Sequence, residues 1–346
     1  MPVRDTAAPT LVRPGLWALT LPLPGPPDLV TVYVLETDAG PYLVDAGWDT
    51  EDGWRALSRG LAAIGTRVEE VRGVLVSHSH MDHYGLAPRI RASSGAWIAL
   101  HPLDAAQLSH YRIDPAERLA DVLRRAGAPD TAVDRALAGL GKGRGHDAAA
   151  PDVLLEDGQR PEVPGWDLTA LWTPGHSPGH LCFWEGRQRL LLAGDQVLPH
   201  TVVAVHEPEG PQDDPLGGYL ESLDRLERLR PTEVLPAHEH RFTDLSGRVG
   251  ELRAHHSGRV ARVAEVLDAG PATAWELAGR VRSRGTLDDL HGFPLHVVVT
   301  RTLAQLSHLR RQGLAEEVPG PPPYWAPTGR GVPRSSPDVV GHRPVR

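Results

Sequence analysis

The stretch from Val74 to Gly85, VLVSHSHMDHYG, constrains this chain more than any other. Its apolar start reads as a buried strand that ends at Ser77, and within the next six residues come His78, His80, Asp82 and His83. Packing alone cannot satisfy clustered imidazole and carboxylate groups at the end of a buried strand, and coordination of a cation can. His78 and His80 lie two apart on extended backbone and point the same way. Asp82 and His83 follow where the chain begins to turn, which lets them face a second ion. Gly85, Ala87 and Pro88 then mark a turn into the amphipathic stretch Leu86–Arg91.

Four more segments share the logic of an apolar strand ending in a polar, ligand-type residue. They are Leu43-Val44-Asp45-Ala46-Gly47, Thr173-Pro174-Gly175-His176-Ser177-Pro178-Gly179-His180, Leu192-Ala193-Gly194-Asp195 and Leu235-Pro236-Ala237-His238. With His78-x-His80-x-Asp82-His83 they resemble, in order, the five motifs of the metallo-β-lactamase superfamily, over roughly the first 245 residues. The resemblance implies an α/β fold, a four-layered αβ/βα sandwich with metals at one edge of the sheets. It implies that His78, His80 and His176 hold a first metal, that Asp82, His83 and His238 hold a second, and that Asp195 bridges them. Two divalent ions are expected, Zn²⁺ first and Fe²⁺ or Mn²⁺ as alternatives for the same ligands. Asp45 is expected to orient the metal site through hydrogen bonds, and His180 to be a hydrogen-bonding wall residue.

Periodicity supports α/β layering. Strands are expected at Leu16–Leu21, Leu29–Thr37, Pro41–Asp45, Gly73–Val76, Trp97–Leu100, Val153–Leu155, Trp166–Trp172, Leu190–Ala193 and Val234–Ala237, with helices at Trp54–Ile64 and Tyr219–Leu229. Residues 103–147 form a helical insertion, with helical spacing in Leu103–Leu108, Pro115–Ala126 and Asp130–Leu140 and a flexible end at Gly139–Gly145. They read as a lid over the site or as a packing hairpin. The long segment Thr201–Pro215 reads as a substrate wall or a surface excursion, and His240 as a surface neighbour of the site. The catalytic unit is expected to span 1–250. From 251 to 320, helices at Val260–Leu267, Ala274–Val281 and Leu295–Arg311 and a strand at Leu314–Val318 resemble a small winged-helix-like domain. Residues 321–346 are Pro- and Arg-rich and are expected to be a disordered tail.

Composition narrows the partners. The net charge of −8 argues against general affinity for nucleic acid or anionic membrane. Residues 251–318 carry nine arginines against eight acidic residues, too balanced for a DNA reader, so helix support, an active-site rim or a homodimer contact is expected of them. The single cysteine, Cys182, excludes an intrachain disulfide, suits a reducing cytoplasm and reads as a small buried hydrophobe. Prolines at 14, 22, 24, 26 and 27 interrupt the first hydrophobic segment, so no signal peptide or membrane span is expected and the chain reads as soluble.

The resemblance also implies the reaction: hydrolysis by a hydroxide shared between two metals, oriented by Asp82, with no serine or cysteine nucleophile. The chain has no asparagine and one lysine, Lys142, in a Gly-rich loop, whereas β-lactam-hydrolysing members commonly bring one of these residue types to the substrate. A thioester or ester of a small organic molecule is the expected substrate. Lactone or other small-molecule hydrolysis, single-strand-specific ribonuclease activity, an iron-dependent sulfur dioxygenase and a non-catalytic metal-binding regulator are the alternatives.

Overall fold

Both faces of the strand Leu29–Leu35 are apolar, and that doubling sets the layering. In the computed structural model, which describes residues 8–25, 27–138, 149–206 and 213–329, Val30, Val32 and Val34 enter one hydrophobic cluster while Tyr33 and Leu35 enter another. A strand with a period of two and two apolar faces has to lie between layers. It is β3 of a seven-stranded sheet ordered as the chain runs: β1 (Thr10–Arg13), β2 (Leu16–Pro22), β3, β4 (Tyr42–Val44), β5 (Gly73–Leu75), β6 (Trp97–Leu100) and β7 (Val153–Leu154). Pairing is antiparallel from β1 to β4 and parallel from β4 to β7.

The second sheet contains β8 (Leu168–Trp172), β9 (Leu181–Glu185), β10 (Leu190–Gly194) and β11 (Glu233–Pro236), in the order β11-β10-β9-β8, with only the β10–β11 pair parallel. Leu190 and Leu192 pack between the sheets against the cluster of Leu35, Val44 and Phe183, while Leu191 and Ala193 point the other way. Parallel β4 and β5 deliver Asp45 and Ser77 to one edge of the sandwich, and parallel β10 and β11 deliver Asp195 and His238.

Helices close both outer faces. Over the first sheet lies α1 (Glu51–Ala63), with Ala56, Leu57 and Leu61 buried at helical spacing. Thr50 caps it by accepting the Gly53 N–H at 2.9 Å, a device worth about 1 kcal/mol. The one-turn α2 (Met81–Tyr84) leads into α3 (Ala87–Ser94) on the same face. Between β6 and β7 come α4 (Pro102–Gln107), a 3₁₀ turn at Leu108–Arg112, α5 (Pro115–Arg125) and α6 (Asp130–Ala138). The second sheet is covered by α7 (Pro215–Leu229) and by the first part of α8 (Leu245–Leu267). The result is the four-layered αβ/βα sandwich. No helix among the described residues is long and apolar enough to cross a membrane.

The described residues finish with α9 (Ala274–Arg280), α10 (Gly292–Arg311) and an antiparallel hairpin of β12 (Ala315–Val318) and β13 (Tyr324–Pro327). Three helices and one strand are expected here; a second strand, β13, is added, and the expected boundaries need correction. The division at 250/251 runs through α8, a continuous helix of 23 residues. Leu245, Val249 and Leu252 belong to the sandwich, and Val263, Ala264 and Leu267 to the carboxy-terminal cluster. The helical insertion is also not a free-standing lid. Leu119, Val122 and Leu123 of α5 and Val133 of α6 share one apolar cluster with Leu277, Leu295, Val299 and Trp325. Tyr324–Pro327, expected in the disordered tail, pairs with β12 and buries Trp325. The expected flexible end at 139–145 and the tail from 330 lie outside the described residues.

Candidate metal centre

Two strand ends carry the first histidines. After β5 the chain bends at Ser77 and again at Ser79, and His80 is the N-cap residue of α2, with φ −60° and ψ 147°. His78 Nε2 and His80 Nδ1 lie 2.8 Å apart. Beyond β8, the Pro174-Gly175 turn brings His176 to the same point, with its Nε2 3.1 Å from His80 Nδ1. Three ring nitrogens therefore converge from two loops that are 96 residues apart in sequence. Burial leaves them little alternative. It pushes His78 well below the usual histidine value and His80 down to about 3, with the neighbouring imidazoles reinforcing the effect. Three ring nitrogens that converge on one point can all be satisfied by a shared cation, which accepts a lone pair from each.

The second group forms where α2 begins. Asp82 Oδ2 lies 3.3 Å from His238 Nε2 and 3.7 Å from His83 Nε2. His238, at the end of β11, donates its Nδ1–H to the Leu29 carbonyl at 2.8 Å, which leaves Nε2 bare toward Asp82. His176 is held likewise, with its Nδ1 2.9 Å from the Ala204 carbonyl. These bonds to second partners fix ring orientation and tautomer, as in metal-binding histidines generally. For His83, burial works toward neutrality, but the carboxylates of Asp82, Asp195 and Asp45 outweigh it and raise the imidazole well above its usual value.

Asp195 lies between the two groups. Its Oδ1 is 3.6 Å from His83 Nε2 and 3.5 Å from His238 Nε2, and its Oδ2 is 3.7 Å from His176 Nε2. Burial opposes its charge, while His83 and His238 hold the carboxyl well below the usual carboxylate range. Neither Asp195 Oδ1 nor His83 Nε2 has a hydrogen-bond partner, although both are buried. Two orphaned polar atoms facing each other at 3.6 Å are costly as they stand and fit a cation lodged between them. Three overlapping sets of ligand atoms result, each within 4.8 Å: His78, His80 and His176; His78, His83 and Asp195; Asp82, His83 and His238. All seven residues expected at the metals are thus brought together.

The expected supporting residues are in place. Asp45 is left-handed at φ 63°, and this turns its carboxylate back under the loop. Its Oδ1 accepts the Ser77 N–H at 2.7 Å, and its Oδ2 accepts the Ser77 hydroxyl at 3.0 Å and His83 Nδ1 at 2.9 Å. His78 Nδ1 lies 3.0 Å from Ser77 Oγ, so one carboxylate orients a histidine of each group. His180 is fully buried and accepts the Asp195 N–H on Nε2 at 3.2 Å, with Nδ1 3.0 Å from Thr173 Oγ1. Gly194 brings the backbone this close, since a Cβ there would fall 2.8 Å from His180 Nε2. His240 instead packs against His200 and belongs to none of the ligand sets.

Sequence reasoning missed Asp104. This carboxylate, in α4 at the start of the insertion, is fully buried. Its Oδ2 accepts the Ser79 N–H at 2.7 Å and the Ser177 hydroxyl at 2.9 Å, and its Oδ1 accepts the Gly179 N–H at 2.6 Å. It ties the loop of His78 and His80 to the loop of His176. The available signal was a carboxylate placed shortly after the apolar run Trp97–Leu100, much as Asp45 and Asp195 follow their own strands.

Comparison with known proteins identifies the family. The profile of the metallo-beta-lactamase superfamily matches residues 25–238. The probable metallo-hydrolase YqjP of Bacillus subtilis is 26% identical over 268 residues, covering 75% of this chain and 82% of that protein. The lactamase-like protein aptB of Emericella nidulans is 27% identical over 283 residues, covering 82% of this chain and 71% of that protein. Among solved structures, the metallo-beta-lactamase family protein TTHA1429 of Thermus thermophilus superposes with a TM-score of 0.76 at 31% identity, covering 92% of this chain and 100% of that one. A beta-lactamase domain protein of Burkholderia ambifaria shares the fold, with a TM-score of 0.77 at 24% identity over 94% of this chain and 97% of its own. The chain belongs to the metallo-β-lactamase superfamily.

Proposed function

We propose that the protein is a metal-dependent hydrolase with two divalent ions, Zn²⁺ foremost, acting on a thioester or ester of a small organic substrate. The observation that carries this reading is the position of Asp195, with one carboxylate oxygen toward His83 and His238 and the other toward His176. His78, His80 and His176 would hold one ion, Asp82, His83 and His238 the other, and Asp195 both. Divalent ions in such a pair supply Lewis-acid polarisation of the scissile carbonyl and acidify bound water toward neutrality.

The chain's own residues do the rest. Burial opposes the charge of Asp82, but His83 and His238 outweigh it and lower the carboxyl to about 2. Asp82 therefore remains an acceptor throughout the working range and orients the attacking water. Asp45, through Ser77 and His83, keeps the imidazoles in the tautomer that presents a lone pair. Neither Cys182 nor Ser77 competes as nucleophile. Cys182 is fully buried and its thiol is pushed up to about 12, while Ser77 is buried and committed to Asp45. His80 and Asp82 are only half-buried, so a carbonyl can approach from their side.

A panel of acyl-thioesters, esters, lactones and short single-stranded RNA, run with Zn²⁺ and with Mn²⁺, tests the assignment. Metal-dependent turnover of a thioester or ester supports it. RNA cleavage that disappears in Asp82→Ala, with no thioester turnover, overturns it.

A further inference from the structure

Most arginines of the sandwich are matched: Arg89, Arg91, Arg225 and Arg248 each form an ion pair with an acidic side chain. Arg118 of α5 does not, and among the described residues it takes part in no ion pair. Its guanidinium lies 5.4 Å from the Tyr111 ring centre, and its Nε is buried with no hydrogen-bond acceptor. Tyr111 is linked electrostatically to the metal centre: burial raises its hydroxyl, and Ser79 and the Asp104 and Asp82 carboxylates act on it as well. The Arg118 charge also reaches His296 of α10, whose imidazole is pushed down to about 4 by burial and then by the guanidinium. His296 lies 5.6 Å from the ring of His206, which is two residues beyond the Ala204 carbonyl that holds His176. Tyr111 and Arg118 of the insertion, His296 of α10 and His206 thus form a series that ends two residues from the Ala204 carbonyl bonded to His176.

A guanidinium held over an aromatic ring, half-desolvated and lacking a carboxylate, is preorganised for an incoming anion. We propose that the mouth of the metal centre carries an anion-binding subsite in which Arg118, held on the Tyr111 ring beside His296, receives a carboxylate or phosphate of the substrate. The inference rests on the hydrolase reading and deepens it. The preferred substrate is an acidic ester or thioester, with its charge on the acyl or the leaving side of the scissile bond.

The test uses the metal-loaded full chain with three thioesters: acetyl-pantetheine (uncharged), succinyl-pantetheine (anion on the acyl side) and acetyl-4′-phosphopantetheine (anion on the leaving side). Arg118→Gln is expected to raise KM for one of the charged substrates at least about tenfold while leaving kcat and KM for acetyl-pantetheine unchanged, and Arg118→Lys to restore part of the loss. The charged substrate affected identifies the side. A change that is equal for all three, or absent for all three, overturns the subsite while leaving thioester hydrolysis standing. A second readout needs no turnover. Succinate or inorganic phosphate should raise the melting temperature of the wild-type protein more than that of Arg118→Gln. Equal shifts overturn the proposal. An Arg118-dependent shift without cleavage of any thioester upholds the subsite and refutes thioester hydrolysis instead.

Discussion

Asp45 and His83 form a buried pair across the metal centre, with Asp45 Oδ2 2.9 Å from His83 Nδ1 and no more than 2% of either residue exposed. The pair sets which nitrogen of His83 is available, and the same carboxylate reaches His78 through Ser77. A single residue outside the ligand set therefore governs both ends of the site.

Asp45→Asn keeps the shape but can no longer accept from the Ser77 amide, the Ser77 hydroxyl and His83 together. We expect metal affinity to fall about 10- to 100-fold, the usual cost of losing such a partner. Competition with a chromogenic chelator measures it. Affinity equal to wild type would show that the ring of His83 is held by packing alone.

Asp104→Ala removes the tie between the two histidine loops and leaves the Ser79 and Gly179 N–H groups without acceptors. Each buried orphan should cost about 1–3 kcal/mol. Chemical denaturation should show a loss of this order, with weaker metal binding at the three-histidine group. Unchanged stability would mean that water replaces the carboxylate.

Leu123→Ala tests whether the insertion and the carboxy-terminal helices are one body. Leu123 is fully buried in the cluster that joins α5 to α9 and α10, so truncation should cost about 2–5 kcal/mol. The shared cluster further requires the insertion and the carboxy-terminal unit to melt together. A separate early transition confined to α5 and α6 would contradict this.

His256 contributes one part of the acid sensitivity: it is buried with Nε2 unpartnered, and its imidazole is pushed down to about 4, mainly by burial and then by His255 and Arg301. Between its ordinary value of 6.5 and about 4, the unfolded chain binds a proton there that the folded chain does not. Stability is therefore present above pH 6.5 and is lost as pH falls toward 4. His256→Leu should flatten the decline by about one proton across this window, as read from denaturation midpoints at several pH values. A slope identical to wild type would show that other groups carry the acid sensitivity.

The site was more legible than the frame around it. His78, His80, Asp82 and His83 follow a buried strand within six residues, and a cluster of that density has few other physical explanations. Asp195 was legible for the opposite reason, as a lone carboxylate ending an apolar strand. Asp104 was not, because its meaning depends on two backbone amides and a hydroxyl supplied by distant loops. Among the elements, alternation identified β3, and an unbroken apolar run identified β10. β13 was hidden because the Pro319–Pro323 run masks a hairpin whose order depends on burying Trp325. The domain division was misplaced at residue 251 because the composition changes there while the helix does not: α8 continues and changes only which core it packs against.

Metal content measured on wild type and Asp195→Asn, purified without chelator and analysed by mass spectrometry, tests the two-ion centre most directly. Asp195 lies within 3.7 Å of histidines of both groups, so removing its charge should weaken both sites without disturbing the strand. Wild type should hold about two divalent ions per chain, the number that a carboxylate shared between two ligand groups implies. Asp195→Asn should hold distinctly fewer while giving the same circular dichroism, with hydrolysis reduced by at least about a hundredfold. A single ion in wild type, or full metal content with nearly normal turnover in Asp195→Asn, would contradict the account.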